Sequence, residues 1–307
     1  MFKTILVPLD GSKLAESALP IAVQLAQCCV SSLILFHGIE SRPPALIHGE
    51  RHIQSRDEAE QYLQGVLSHL KMHVKEPAIP ISYHIHEEAI QDIRQGIVEH
   101  IEELQPDLIV MSSHGKREIK KAVVGSIPLQ ILKKGNIPVL LIQSDEYVTE
   151  NQPDHPVHNI LLPLDSGSHH DGSLKAAVQL AKALQSELTL MTVIPTVGTQ
   201  KPFNGISSLH LPISSRLSLE IETDEVTKHL TEHFKEIEGQ LDPSVKVHIR
   251  VARGAVVKEI QKTAKTLDHC LMVLGTHGKI GMEAFWADSI AFRLASRVVT
   301  PILFIPL

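Results

Sequence analysis

The sequence predicts an α/β chain built as two tandem doubly wound domains, each a parallel sheet with helices on both faces. Three observations carry this. Short apolar runs alternate with helix-length amphipathic segments. The same alternation occurs twice along the chain. The 307 residues are about twice a common domain length.

The elements follow in order. Thr4–Pro8 is a short, nearly continuous apolar run, the pattern of a strand covered on both faces. Leu14, Leu19, Ile21, Ala22 and Leu25 then recur at helical spacing. Ser32–His37 reads as a strand, Arg56–Val74 as a helix and Ile81–His86 as a strand. Ala89–Leu104 (helix), Leu108–Ser112 (strand), Ile119–Lys133 (helix) and Val139–Ile142 (strand) complete the first copy. The second copy runs the same way, from Ile160–Pro163 to Ile302–Ile305.

The duplication is explicit in the residues. Ile5-Leu6-Val7-Pro8-Leu9-Asp10 returns as Ile160-Leu161-Leu162-Pro163-Leu164-Asp165, five of six identical at an offset of 155. Ala22–Ala26 returns unchanged as Ala177–Ala181 at that offset. Ser113-His114-Gly115 matches Thr276-His277-Gly278, and Pro138-Val139-Leu140 matches Pro301-Ile302-Leu303, both at 163. The second copy therefore carries an insertion, from Pro195 to about Glu222. The expected division is a first domain over 1–145, a polar, proline-containing linker over 146–156 and a second domain over 157–307.

Composition removes several function classes. The chain is 43% apolar and 21% charged, which excludes collagen-like and wholly disordered readings. Its net charge of −6 and 4% aromatics argue against a nucleic-acid partner. Cys28, Cys29 and Cys270 form neither a disulfide framework nor a zinc spacing, so a reducing, cytoplasmic compartment is expected. The opening Met1-Phe2-Lys3-Thr4 runs directly into a strand with no leader pattern, and no apolar run approaches a membrane span.

In a parallel sheet, ligands bind outside the carboxyl ends of the strands, near the switch in strand order. After the first strand come Asp10-Gly11-Ser12 and, in copy two, Asp165-Ser166-Gly167-Ser168. A carboxylate there can accept hydrogen bonds from a ligand hydroxyl or amino group, or it can cap the next helix. After the fourth strand, Ser112-Ser113-His114-Gly115 is followed by nine residues and Gly125-Ser126. Copy two has Gly275-Thr276-His277-Gly278, nine residues and Asp288-Ser289. Glycines in such turns allow close backbone approach and present N–H groups to an anion, and they also serve as ordinary turns. Ser126 and Ser289 would add a hydroxyl near a positive helix end.

These residues resemble the universal stress protein family in its tandem, two-domain form. Asp10 or Asp165 after the first strand, G-x-x-G, nine residues and G-[ST] carry the resemblance, with the opening ILVPLDGS, the DLIVMSSHG block and the closing IPVLLI. It implies a five-stranded sheet of order 3-2-1-4-5 in each domain. It implies a cytoplasmic stress-response regulator that binds ATP, with or without magnesium, or another adenine nucleotide. It also implies domain pairing through the last strands, inside one chain or as a homodimer.

The family divides into members that bind ATP and members that do not, so each position counts. Copy one has Ser112 in place of the first motif glycine but keeps Gly115, Gly125 and Ser126. Copy two keeps Gly275, Gly278 and Ser289 but has Asp288 where the later glycine belongs. A close like-charge pair costs roughly 1 kcal/mol even in water. The family's adenine-facing valine corresponds to Val193 in copy two and Gly38 in copy one. Domain 1 is thus expected to be the better triphosphate site. Lys116, Lys120 and Lys121 flank its loop, either offsetting phosphate charge or forming a solvated helix face.

Other features read as structural. Of 19 histidines, His84 and His86 alternate on a strand and face one side, without the partners of a recognised metal site, so no metal is expected. His155, His158, His169 and His170 lie in loops; His114 and His277 lie in the motif turns. No G-x-S-x-G elbow, G-x-G-x-x-G or P-loop occurs, and no catalytic residue is assigned. The insertion, with Phe203, Leu209, Leu211, Ile213 and Leu217, is either an apolar lid for a hydrophobic ligand or a loop. Beside the nucleotide-binding regulator stand a nucleotide-independent interaction protein and a slow ATP hydrolase. The last would rest on Asp10 or Asp165 alone.

Overall fold

The computed structural model describes residues 1–40, 45–47, 49–74, 78–90, 100, 103–113, 128, 130–132, 137–143, 157–164, 171–195, 224–225, 227–229, 231–233, 235–239, 241–276 and 290–307. The chain divides into two compact units. The first comprises Met1–Pro156 with Thr276–Met282 and Pro301–Pro306; the second comprises Val157–Gly275, Glu283–Thr300 and Leu307.

The first unit opens with β1 (Thr4–Pro8), α1 (Lys13–Glu16), α2 (Leu19–Cys29) and β2 (Ser32–Glu40). A small hairpin, β3 (Leu46–Ile47) and β4 (Glu50–Arg51), leads to α3 (Arg56–His73) and β5 (Ile81–Ile90). β6 (Leu108–Ser113) and β7 (Val139–Gln143) follow. In the second unit come β8 (Asn159–Pro163), α4 (Asp171–Leu184), β9 (Glu187–Ile194) and β10 (Val247–Arg253). They are followed by α5 (Val256–Thr266), β11 (Cys270–Thr276) and α6 (Ile290–Ala295). The last strand, β12 (Ile302–Pro306), is counted with the first unit.

The main sheet of the first unit runs β12-β7-β6-β1-β2-β5. All its neighbours are parallel except β12, which lies antiparallel to β7 with Leu303 opposite Leu140. The second unit runs β10-β9-β8-β11, all parallel. Ile5, Leu6 and Val7 have no exposed surface, and neither have Ile160, Leu161 and Leu162. Strands buried on both faces produce the continuous apolar runs seen in the sequence.

The duplication reaches individual hydrogen bonds. Ser31 Oγ donates to the Phe2 carbonyl (2.9 Å), and Ser186 Oγ donates to the Val157 carbonyl (2.5 Å). The Leu9 N–H donates to the Phe36 carbonyl (2.8 Å), as the Leu164 N–H does to that of Met191 (2.7 Å). Both turns into the second strand of a copy use a left-handed residue, Val30 (φ 55°) and Gln185 (φ 54°).

Helix ends follow ordinary chemistry. Ser12 caps α1 and Ser55 caps α3, each accepting from the N–H three residues on. Glu58 completes the α3 start by accepting from the Gln54 N–H at 3.0 Å.

One boundary differs from expectation. Ala89 and Ile90 belong to β5, because β2 runs on to Glu40 and pairs with Ile90 past an irregularity between Gly38 and Glu40. His100, Glu103 and Leu104 of that expected helix are helical. Pro128 and residues 130–132 of the helix expected over Ile119–Lys133 are helical as well. Cys28 is exposed, Cys29 half-buried and Cys270 buried, and none is bridged. Burial pushes the Cys270 thiol up to about 12. Among the described residues no helix is long and apolar enough to cross a membrane.

Val30 is 81% exposed yet β-branched in a left-handed conformation. Left-handed backbone costs a non-glycine residue about 1–2 kcal/mol. Val30→Gly should therefore raise the denaturant midpoint, by about 1 kcal/mol after the larger unfolded-state entropy of glycine. An unchanged or lowered midpoint would show that Val30 is not strained.

Candidate functional site

β1 is flanked by β2 on one side and β6 on the other, so the strand order switches at its carboxyl end. Asp10 follows β1 directly. Ser112 is on β6, whose Leu108 and Ile109 pair with Ile5 and Leu6. The parallel register therefore brings Asp10 and Ser112 to one end of adjacent strands. In the second unit β8 is flanked by β9 and β11. Val193, opposite Ala252, and Gly275 lie toward the carboxyl ends of those flanking strands. The other expected site residues, Gly115, Gly125, Ser126, Asp165, Gly278 and Ser289, lie outside the described residues. So do Lys116, Lys120, Lys121, His114, His277, Trp286, Asp288 and residues 196–222 of the insertion.

Asp10 does not cap α1; Ser12 does. Asp10 Oδ1 accepts from the Ser12 N–H (2.9 Å) and the Ser12 hydroxyl (2.6 Å). The Ser12 oxygen in turn accepts from the Ala15 N–H at 3.1 Å. The carboxylate thus orients the residue that caps the helix. Between them Gly11 adopts φ +89°, and a Cβ there would lie 2.9 Å from Ile53 Cδ1. Both conformation and space demand glycine.

Further acidic groups surround the turn. Glu50 accepts from the Lys13 N–H at 2.6 Å. Glu16 accepts from the Tyr62 hydroxyl at 3.1 Å. Burial, reinforced by the nearby Glu16 carboxylate, raises the Tyr62 hydroxyl far above the ordinary phenol value. Tyr62 therefore stays a neutral donor.

His37 was not singled out by sequence reasoning, although it directly precedes Gly38. Its ring is 2% exposed and its Nδ1 is 2.8 Å from the Leu9 carbonyl. A carbonyl only accepts, so Nδ1 carries the proton and Nε2 is the acceptor. Nε2 is buried and has no hydrogen-bond partner among the described residues. Burial holds this imidazole below its usual range; nearby His52 adds to that, while the Leu9 bond and Asp10 oppose it.

In the second unit, a Cβ on Gly275 would lie 2.5 Å from Leu307 Cδ1. Leu307 also limits Gly172, where a Cβ would lie 2.9 Å from its Cδ2. The Leu307 side chain thus occupies the space beside the motif glycine. At the 163 offset the first-copy counterparts of Gly275 and Leu307 are Ser112 and Ser144. A glycine–leucine pair in one copy stands against a serine–serine pair in the other.

The histidine reading changes in one place. His84, His100 and Glu103 come together, with donor atoms all within 4.8 Å of one another. Sequence spacing could not show this, because the strand and the helical residues meet only through the fold.

Two measurements test this geometry. The folded-state pKa of His37 lies below its unfolded value of about 6.5. The unfolded chain therefore binds a proton there that the folded chain refuses, and stability falls as pH drops from about 6.5 to the lower folded value. Denaturant unfolding should show that fall, and His37→Gln should remove up to about 1.4 kcal/mol per pH unit of its slope. An identical slope in the variant would refute it. Gly275→Ser should cost up to about 1 kcal/mol through its contact with Leu307, whose exposed side chain can shift. Adding Leu307→Ser should recover most of that loss; no recovery would place the strain elsewhere.

Comparison with known proteins adds the following. The universal stress protein family model matches residues 1–143 and again 156–306. A universal stress protein of Methanocaldococcus jannaschii is 30% identical over 155 residues, 47% of this chain and 96% of that protein. A universal stress protein E homolog of Haemophilus influenzae is 23% identical, covering 97% of this chain and 95% of its own. Among solved structures, a functionally unknown protein of Pseudomonas aeruginosa aligns with a TM-score of 0.66 at 18% identity. That alignment covers 99% of this chain and 92% of the other.

Proposed function

The chain belongs to the universal stress protein family and carries the family domain twice, and from that premise we propose that it is a cytoplasmic stress-response regulator that binds ATP or another adenine nucleotide. The domains of this proposal are 1–145 and 157–307, joined by a linker over 146–156. The observation that carries it is the placement of Asp10 and Ser112 at one end of adjacent parallel strands, where strand order switches.

In this reading the Asp10 carboxylate accepts from the nucleotide's hydroxyl or amino donors. The triphosphate, with or without magnesium, rests on backbone N–H groups of the turn containing Gly115, Gly125 and Ser126. Gly275, Gly278, Ser289, Val193 and Asp165 form the corresponding but weaker second site. Domain 1 is the better triphosphate site for two reasons. Asp288 opposes phosphate charge in the second copy, and Leu307 lies on Gly275 there. No residue is assigned a catalytic role. Domain pairing through the last strands, inside one chain or between two, belongs to the same proposal.

The Leu307 contact also favours a second reading for copy two alone, as a scaffold for a protein partner or hydrophobic ligand rather than a nucleotide site.

Mass spectrometry of ligand extracted from the full-length chain, purified without added nucleotide, tests both readings. Adenine nucleotide should be recovered. Gly125→Asp, which gives copy one the residue of copy two, should reduce recovery about fivefold or more, as a 1 kcal/mol repulsion requires. Recovery of a hydrophobic ligand alone, or nucleotide recovery indifferent to Gly125→Asp, would contradict the assignment to domain 1.

A further inference from the structure

β5, an edge strand of the first unit, carries His84 and His86 two residues apart, so their side chains leave the same face. Against them lie His100 and Glu103, helical residues three apart and therefore neighbours on one helical face. The three imidazoles form a tight group. Ring centroids are 5.2 Å apart for His84 and His100, and 4.1 Å for His86 and His100. His86 Nδ1 is 2.7 Å from His100 Nε2, so one of these nitrogens donates to the other. Glu103 Oε2 is 3.5 Å from His100 Nε2. Phe36 lines the apolar side, stacked on His84 at 6.0 Å and tilted against His100 at 5.3 Å.

We infer that His84, His100 and Glu103 form a site for a divalent transition metal, zinc foremost, with His86 as the inner partner that orients His100. The donor chemistry is what selects the ion. Two imidazoles and one carboxylate suit zinc and its imidazole-preferring neighbours, not magnesium or calcium. Three protein ligands leave a fourth tetrahedral position for water. The metric fits. Metal–ligand bonds of about 2.0–2.2 Å place tetrahedral donors roughly 3.3–3.5 Å apart, and the three donors here already lie within 4.8 Å. Glu103, with a 64% exposed side chain, has the freedom to close that difference. The His100 side chain is only 9% exposed and is held by its ring neighbours. Packing thus fixes one ligand while the exposed carboxylate adjusts.

The site is independent of the nucleotide reading. It would fasten the edge strand β5 to the helical residues that follow it, so occupancy stabilises this unit by mass action.

The test uses the full-length chain without a polyhistidine tag, stripped with a chelator, and zinc chloride alone as titrant. Calorimetry should show one strong site per chain, and cobalt(II) should give the visible absorption of a four-coordinate ion. Glu103→Gln, at an exposed position, should weaken zinc binding about tenfold or more with the fold intact by circular dichroism. His84→Ala should do the same. His229 and His233 are exposed helical residues four apart that lie outside this cluster, so His233→Ala is the control and should leave the strong site unchanged. Absence of a strong site, or a strong site that survives both Glu103→Gln and His84→Ala, would overturn the assignment. So would its loss in His233→Ala.

Discussion

Burial of β1 on both faces is the constraint from which the first unit follows. Ile5, Leu6 and Val7 have no exposed surface, and the strand's edges are occupied by β2 and β6. Its pairing with both neighbours is parallel, so the connection to β2 crosses over the sheet through α1 and α2. The turn after β1, where Asp10, Gly11 and Ser12 lie, is at the carboxyl end of the strand where the order switches. The same enclosure of Ile160, Leu161 and Leu162 organises the second unit around β8.

Duplication preserved the scaffold more closely than the sites. The serine clasps of Ser31 and Ser186 are the same bond made twice, as are the carbonyl bonds of Leu9 and Leu164. The residues around the strand ends have changed. Gly38 stands against Val193, Ser112 against Gly275, and Gly125 against Asp288. In the second copy Leu307 lies beside Gly275. A side chain at that position would have to displace Leu307, which is 42% exposed.

Fold class and repeat were legible because both are local properties. Apolar runs, helical spacing and identical blocks are read one segment at a time, and β1, β6, β7, β8 and β12 lie within a residue or two of expectation. What escaped depends on tertiary register. Ala89 and Ile90 have no local signal against helix; the extended pairing of β2 makes them strand. His37 looked like one histidine among many until burial and the Leu9 carbonyl defined its tautomer. The grouping of His84 with His100 and Glu103 is invisible in spacing, since strand and helical residues belong to different periods. Asp10 was recognised as important, yet its structural work, orienting Ser12, needed coordinates.

The central claim is that one chain holds two versions of a nucleotide site, of which the first retains triphosphate. Equilibrium titration of the full-length chain with ATP tests it most directly. One tight site per chain, weakened by Asp10→Ala and indifferent to Asp165→Ala, is the predicted result. No binding, two equal sites, or a single site that responds only to Asp165→Ala would contradict it.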